Sequence, residues 1–376
     1  MAEATQTKTT IAIDPVTRIE GHLKAEVVVE NGKVVDAKLT GGMYRGFESI
    51  LRGRHPRDAA QIVQRICGVC PTAHATAASI ALEKASGTAV PSNGRATRNL
   101  ILGANYLQSH ILHFYHLAGQ DFIQGPDTAP FMPRYAKPDL RLPPAINAVG
   151  VDQYVEALEV RAVCHEMVAL FGGRMPHVHG ILAGGAAEIP TKEKLVEYAA
   201  RFKKVRKFVE EKYLPVVYLV GSQYKDLGAF GQGYRNALCV GVFPLDDEGK
   251  EFVFKAGAYQ DGKDMPFDVK RVTEDVKFSW FADSTSGKPF TKGENVLEVD
   301  KKGAYSFVKA PLYNGKPMEV GPLARMWVNN KPISPIGQKL FKEYFGLDVK
   351  NFRDMGEDLA FSLLGRHVAR AEESYL

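Results

Sequence analysis

The sequence predicts an α+β protein that is predominantly helical, with a bundle of long helices, an N-terminal β-hairpin region and a smaller β-containing layer. Helical recurrence of apolar residues runs through much of residues 56–213. The tight-turn pair Asn31-Gly32 separates two β-prone runs near the N-terminus, and short β-prone runs return in residues 217–326. With 376 residues, 45% of them hydrophobic, the chain is long enough to bury a large core.

The first fifty residues predict β structure. Thr10–Ile13 indicates a strand that leads into a turn. His22–Glu30 and Lys33–Leu39 flank Asn31-Gly32, a pair that favours the left-handed backbone of a two-residue hairpin turn. We therefore expect an antiparallel hairpin here.

The predicted helical core begins near Pro56. Pro71–Ser86 is alanine-rich and is followed by Gly87, a residue typical of the position just after a helix. Arg95–Ala118 and Val151–Phe171 carry apolar residues with helical recurrence. Lys192–Tyr213 is a more charged helix, which we expect to be more exposed.

Residues 217–326 predict a smaller β-containing layer, with turns at Asp261-Gly262 and Asn314-Gly315. Helices return at Ile336–Phe345 and from Met355 onward. The sequence thus predicts one domain over residues 1–376, divided into four regions. These are an N-terminal β region (1–50), a helical core (51–215), a β-containing subregion (216–330) and C-terminal helices (331–376).

The last residues raise a question about completeness. Asp358–Leu376 keeps a helical pattern up to its last residue, where no Gly, Pro or polar tail ends it. We expect a domain that is incomplete at its C-terminus; the alternative is a natural C-terminal helix.

Charge and hydropathy argue against a nucleic-acid partner, a membrane span and a secretory signal. Forty-eight basic and 43 acidic residues leave a net charge of +5 without long runs, so nucleic acid is not expected as a partner. No apolar stretch approaches the roughly 20 residues that span a bilayer. The first ten residues are polar and lack the apolar centre of a secretory signal, so the chain taken alone is expected in the cytosol.

Four cysteines are too few for a disulfide scaffold. Cys164 and Cys239 lie in apolar stretches and are interpreted as small buried hydrophobic residues. Cys67 and Cys70 form a CxxC pair, and Pro71 places Cys70 at the start of a helix, where the thiolate is favoured. His74 follows on the same helix face as a ligand or as a hydrogen-bonding neighbour of one. By itself the pair fits a redox dithiol, half of a zinc site or an accident of packing.

Further motifs narrow this choice, because together they resemble the large subunit of nickel–iron hydrogenases, the nickel–iron–selenium branch in particular. They occur in the family's order over essentially the whole chain. The matching motifs are residues 14–22 (DPVTRIEGH), 45–48 (RGFE), 65–71 (RICGVCP), 110–117 (HILHFYHL), 172–177 (GGRMPH), 319–325 (EVGPLAR) and 365–370 (GRHVAR).

The resemblance implies a Ni–Fe centre whose iron carries CO and cyanide. Cys67 matches the terminal nickel ligand and Cys70 a ligand that bridges nickel and iron. His74 matches a residue that hydrogen-bonds near the bridging thiolate. Glu20 matches a carboxylate that relays protons, and Glu48 a ligand of a divalent ion of the Mg type or iron; without the resemblance both would be ordinary solvated charges.

The family's other two ligands come from a C-terminal Asp-Pro-Cys-x-x-Cys motif, which this sequence does not contain; in the selenium branch a selenocysteine replaces the first cysteine. One departure is Ser109, where many relatives have Asp, so no role is assigned to it. His110, His113 and His116 have helical spacing, but we interpret them as hydrogen-bonded core and interface histidines.

The leading hypothesis is therefore a hydrogenase large subunit that cleaves H2 reversibly and heterolytically. Electrons would pass through an iron–sulfur small subunit to a redox partner. A signal on that subunit would carry both chains to the periplasm; the alternative is a cytoplasmic location. Two alternatives remain: a truncated, catalytically incomplete fragment that cannot assemble the bimetallic site, and a metal-free relative like the quinone-site subunit of respiratory complex I.

Overall fold

The computed structural model describes residues 8–134, 137–289 and 291–376. Contacts divide the chain into two compact units. One comprises the described residues of Met1–Arg52 and Asp268–Met318, and the other those of Gly53–Phe267 and Glu319–Leu376. The predicted class, α+β and predominantly helical, is confirmed. The four sequence regions, with boundaries at residues 50, 215 and 330, stay a prediction.

The described residues form helices of very different length. Their bounds are α1 (Phe47–Leu51), α2 (Ala59–Ile62), α3 (Pro71–Ser86), α4 (Ser92–Leu112), α5 (Pro144–Gly172), α6 (Lys192–Phe208), α7 (Leu214–Gln223), α8 (Pro322–Asn329), α9 (Pro335–Phe345), α10 (Glu357–Ala360) and α11 (Leu363–Tyr375).

The strands are short, apart from the first three. Their bounds are β1 (Lys8–Val16), β2 (Leu23–Glu30), β3 (Lys33–Gly41), β4 (Ile181–Leu182), β5 (Gly185–Ala186), β6 (Ala237–Cys239), β7 (Val242–Pro244), β8 (Phe252–Phe254), β9 (Gly257–Gln260), β10 (Lys263–Met265), β11 (Val272–Asp275), β12 (Ala310–Tyr313) and β13 (Lys316–Pro317).

In the first unit, β1, β2 and β3 form one antiparallel sheet. The predicted hairpin is confirmed, because Glu30 pairs with Lys33 across a two-residue turn in which Asn31 and Gly32 both have positive φ. The Asn314-Gly315 turn is confirmed likewise, since it joins β12 to β13. The end of β3 meets a later segment of the same unit, where the Phe307 N–H donates to the Gly41 carbonyl at 2.9 Å.

The second unit is built around long helices. The predicted helix Pro71–Ser86 is confirmed to the residue, with Pro71 in its first turn and Gly87 left-handed at φ 68°. Helix α4 packs along α5, and each of α4 and α6 continues into a π-helical segment, His113–Ala118 and Val209–Tyr213 respectively. Large aromatic side chains fill the core between these helices.

Two helices reach into the range 217–326, where the sequence indicated β structure: α7 at its start and α8, which begins at Pro322, at its end. Leu214–Gln223 is helix α7, although β-prone runs were expected from Val217 onward. A short apolar run fits a buried strand and a buried helix equally well by periodicity. Tyr218 and its apolar neighbours are buried within the core cluster, where α7 packs against helices α9 and α11. Among the described residues, no helix is both long and apolar enough to cross a membrane.

A buried carboxyl group joins three of these helices. Glu372 of α11 accepts hydrogen bonds from the Tyr218 hydroxyl of α7 at 2.6 Å and from the Ser334 N–H, just before α9, at 2.7 Å. Burial raises the pKa of Glu372 from 4.5 to about 7, although its hydrogen bonds act in the opposite direction. The folded chain therefore holds this proton more tightly than the unfolded chain does.

We expect the free energy of unfolding to fall as pH rises from about 4.5 through about 7. The folded state binds more protons than the unfolded state in this window, so its advantage is full at lower pH and is lost above it. The loss should be roughly 3 kcal/mol. Urea unfolding between pH 5 and 8 measures it. Glu372→Gln should remove this slope, whereas the exposed Glu197→Gln on α6 should keep it; a slope unchanged in Glu372→Gln would contradict the assignment.

Candidate metal centre

Cys67 and Cys70 lie on one tight turn between the short 3-10 segment Val63–Ile66 and helix α3. Cys67 ends the first segment with an extended backbone, and Cys70 is the N-cap residue of α3. The Cys70 N–H points to the Cys67 sulfur, with 3.4 Å between N and Sγ. The turn thus holds the two thiols close together at the N-terminal end of a helix.

Buried amides fix this turn to helix α4 and to a neighbouring loop. The Val69 carbonyl, between the two cysteines, accepts from Asn105 Nδ2 at 3.0 Å and from Gln108 Nε2 at 2.8 Å. Before the turn, Gln64 Nε2 donates to the Val178 carbonyl at 2.9 Å. All three amide side chains are almost fully buried. The cysteine backbone is therefore held in one position before any ligand binds.

The donor set suits a soft transition metal. All four cysteines are described and none forms a disulfide; Cys67 and Cys70 are only half-buried. Thiolates bind nickel and iron, and the amides at a helix N-terminus favour the thiolate form. Within the described ranges, no three His, Cys, Asp or Glu side chains group as a metal site. The two thiols therefore fit as a donor pair within a larger metal centre, and their role as ligands stays a prediction.

A cavity of about 160 Å³ opens beside Cys70. Its remaining wall comes from helices α3, α4 and α8 and is formed by Ala73, Asn105, Tyr106, Ser109, His110 and Arg325. Most of the side chains that line the cavity with the Cys70 thiol are therefore polar.

A buried charge cluster stands behind this cavity. The Glu373 carboxylate of α11 accepts from Arg325 Nε at 2.5 Å, from Arg325 Nη2 at 2.8 Å and from His110 Nε2 at 2.7 Å. Burial alone would raise the pKa of Glu373, but the charge and hydrogen bonds of Arg325, with that of His110, outweigh it and lower the pKa to about 2. Burial lowers the pKa of His110, so a neutral imidazole donates to an ionised carboxylate.

Comparison with known proteins agrees with a metal-dependent enzyme. A family model described as nickel-dependent hydrogenase matches residues 45–127 and 120–376. A second model, described as HoxL-like, matches residues 10–40. The chain belongs to the nickel-dependent hydrogenases. Within this family it is a large subunit.

Individual relatives of the chain are also hydrogenases. The periplasmic [NiFeSe] hydrogenase large subunit of Desulfomicrobium baculatum is 60% identical over 98% of this chain and 73% of its own length. The hydrogenase-2 large chain of Escherichia coli is 33% identical over 85% of this chain and 67% of its own length. The solved Ni-Fe-Se hydrogenase of Desulfovibrio vulgaris Hildenborough is 71% identical with a TM-score of 0.96, covering 98% of this chain and 77% of that one.

The hydrogenase site residues predicted from sequence fall in both units. Cys67, Cys70 and His74 lie in the second unit, with His74 half-buried on α3 one turn after Cys70. Glu20 and Glu48 lie in the first unit and are exposed, Glu20 after β1 and Glu48 in the first turn of α1. Their roles as ligands or proton relay stay predictions.

Of the three helically spaced histidines, His110 lies in the core, as interpreted, whereas His113 and His116 are half-buried. His110 is bonded to Glu373, and His116 Nε2 lies 3.2 Å from the Tyr154 carbonyl. The His113 ring packs against that of His367, with 5.7 Å between centroids. Burial lowers the pKa of His113 to about 3 and that of His116 to about 4. Both are therefore neutral at pH 7.

The other two cysteines are buried, as interpreted. Cys164 of α5 is fully buried, and burial raises the pKa of its thiol to about 12. Cys239 of β6 is 2% exposed, and burial likewise raises the pKa of its thiol. A thiol that stays protonated is a poor metal ligand.

Sequence reasoning missed the residues that support the cysteine turn. Asn105 and Gln108 stand three apart on the buried face of α4, and a polar pair inside an apolar helical stripe was the signal available. Glu373 gave no such signal, because its partner His110 lies 263 residues away in the sequence.

Proposed function

We propose that this chain is the catalytic large subunit of a hydrogenase that cleaves H2 reversibly and heterolytically, with Cys67 and Cys70 as ligands of its Ni–Fe centre. The observation that carries the proposal is the fixed cysteine turn at the N-terminus of α3, in a chain that belongs to the nickel-dependent hydrogenases. When bound, such a centre supplies the redox and Lewis-acid chemistry of H2 cleavage.

The chain's own residues contribute position and charge. Asn105 and Gln108 hold the Val69 carbonyl, so Cys67 and Cys70 present their sulfurs without reorganisation. Partial burial of both cysteines limits the access of water to the sulfur side. His74, one helical turn beyond Cys70, is proposed to hydrogen-bond near the cysteine sulfurs that would hold the centre.

In this proposal, the residue that transfers protons and the residue that binds a hard cation both lie in the first unit. Heterolytic cleavage of H2 releases a proton that needs a base, and Glu20 is proposed for that role. Glu48 is proposed as a ligand of a Mg-type or iron(II) ion, because hard cations prefer carboxylate oxygen. CO and cyanide on the iron, and selenocysteine among the remaining ligands, complete the proposed centre.

The proposed partners follow from the term large subunit in the names of the relatives. We propose an iron–sulfur small subunit that accepts the electrons and passes them to a redox partner, since the four cysteines of this chain cannot also hold an electron-relay cluster. The predicted periplasmic location is supported by the periplasmic relative from Desulfomicrobium baculatum.

The test is metal analysis, infrared spectroscopy and an H2 assay on the chain co-purified with its small subunit. Nickel and iron bound to the complex, CO and cyanide stretching bands, and H2-dependent dye reduction are the expected results. A complex that holds neither nickel nor iron and does not react with H2 would overturn the proposal.

Glu20→Gln should slow H/D exchange between H2 and water by about 10²- to 10⁴-fold, because an amide cannot accept the proton that a carboxylate accepts. Nickel and iron content should stay unchanged, since Glu20 is not proposed as a ligand. Glu30→Gln, at the end of β2 in the same unit, is the matched control and should exchange at the wild-type rate. An unchanged exchange rate in Glu20→Gln would exclude the relay role.

A further inference from the structure

The cavity beside Cys70 is lined by a guanidinium group with only some of its N–H donors in hydrogen bonds. Arg325 lines the cavity, and its side chain is 13% exposed. Both of its bonds to Glu373 use Nε and Nη2. Nη1 has no hydrogen-bond acceptor among the residues that the structure describes. One N–H edge of a nearly buried cation is therefore available to a ligand.

The surrounding cluster carries an excess of positive charge. Arg325 and Arg370 both lie beside the Glu373 carboxylate, and His110 is neutral there. Glu319, which also acts on Arg370, is paired with Arg366. Three guanidinium groups against two carboxylates leave one positive charge in a largely buried place. Such a charge is stabilised by an anion far more strongly than it would be in water.

The guanidinium is also fixed in place. Glu373 holds it from one side with two hydrogen bonds, and the Tyr106 ring lies against it with 5.0 Å between the guanidinium carbon and the ring centroid. Ser109, which lines the same cavity, accepts from Gln108 Nε2 at 3.0 Å and can donate its own hydroxyl hydrogen. The cavity thus presents a fixed cationic donor and a neutral donor.

We propose that this cavity is a binding site for a small anion, with Arg325 as its principal donor, Ser109 as a second donor and Glu373 as the residue that positions Arg325. About 160 Å³ suits an anion of a few heavy atoms such as azide. The occupant is either a free inorganic anion or an anionic ligand carried by the metal centre that Cys70 binds. The second case rests on the proposed function.

Azide is the probe, because its infrared stretching band shifts when a cation donates to it. Titration of the full chain prepared without metal should give a saturable, shifted band. Arg325→Met should weaken azide binding by roughly tenfold or more, since a charge-assisted hydrogen bond is lost. Arg353→Met is the matched control: Arg353 also pairs with a carboxylate and lies against an aromatic ring, but it does not line the cavity. It should bind azide as the wild type does.

A second variant is the control for misfolding caused by the Arg325→Met substitution. Arg325→Met leaves the Glu373 carboxylate without its main partner, whereas Arg325→Met with Glu373→Gln removes both charges and should fold. The absence of a saturable band in the wild type, or azide binding by the folded double variant with wild-type affinity, would overturn the proposal.

The metal-loaded enzyme distinguishes the two sources of the anion. If the centre carries the occupant, Arg325→Lys should shift the infrared bands of the centre's anionic ligands, and azide should no longer bind in the cavity. If the occupant is free, those bands stay unchanged and azide still binds. The metal-free titration does not depend on H2 chemistry, so its failure is separate from a failure of the proposed function.

Discussion

Cys70→Ser is expected to abolish the incorporation of nickel and iron, and H2 turnover with it. A serine hydroxyl at the N-terminus of α3 does not ionise at neutral pH, so the soft thiolate donor is lost. Removing a residue that only supports a ligand already lowers metal affinity by about 10- to 100-fold, so removing a ligand should lower it further. Cys67→Ser should have the same effect.

Metal content per chain, measured by mass spectrometry together with infrared spectroscopy, separates this effect from misfolding. Cys164→Ala and Cys239→Ala are the matched controls, because both thiols are buried and have raised pKa values. They remove one sulfur each but should keep wild-type nickel and iron. Circular dichroism should show all four variants folded. Full nickel and iron content in Cys67→Ser or Cys70→Ser would refute the ligand assignment.

Local sequence patterns were sufficient for the elements that are determined locally. The Pro71 start and Gly87 end of α3, and the Asn31-Gly32 hairpin, follow from backbone preferences of single residues. The CxxC spacing likewise indicated that Cys67 and Cys70 lie close together, because residues three apart at a helix start are neighbours, but their role as metal ligands stays a prediction. Helix α7 could not be identified this way, since a short apolar run fits a buried helix and a buried strand equally well, and the packing of α7 against α9 and α11 is a property of the whole fold.

The polar groups behind the cysteine turn depend on contacts that no local pattern encodes. Arg325 and Glu373 stand 48 residues apart and join α8 to α11, while His110 comes from α4. Each of the three would be an ordinary surface residue in another fold. Only the packing of these helices makes them one buried cluster, and so the sequence predicted the cysteines but not the charge beside them.

Arg98→Met is expected to lower the free energy of unfolding of the second unit by about 3–5 kcal/mol, as is usual when one partner of a buried ion pair is removed. Arg98 of α4 donates to the Glu83 carboxylate of α3 through Nη2 at 2.6 Å and Nη1 at 3.2 Å. It also donates to the Leu182 carbonyl at 2.7 Å and to the Gly185 carbonyl at 3.0 Å. Its loss leaves Glu83 buried with the Gly184 N–H as its remaining donor among the residues that the structure describes.

Tryptophan fluorescence can follow the unfolding of the second unit by itself. It has two tryptophans, Trp280 in the first unit and Trp327 in the second. In a Trp280→Phe background, urea unfolding followed by fluorescence reports the second unit alone. Arg201→Met is the matched control: its ion pairs with Glu166 and Glu197 are exposed, and removing an exposed pair changes stability by at most about 1 kcal/mol.

A double variant tests whether the lower free energy of unfolding comes from the unpaired carboxylate of Glu83. Glu83→Gln with Arg98→Met removes both charges, so it should be more stable than Arg98→Met alone if an unpaired buried carboxylate is the cause. Equal losses in the single and double variants would instead assign the effect to the carbonyl bonds of Arg98. Because this pair joins α3, which begins at Cys70, to α4, which carries Asn105 and Gln108, its removal should also raise amide hydrogen exchange in the cysteine turn.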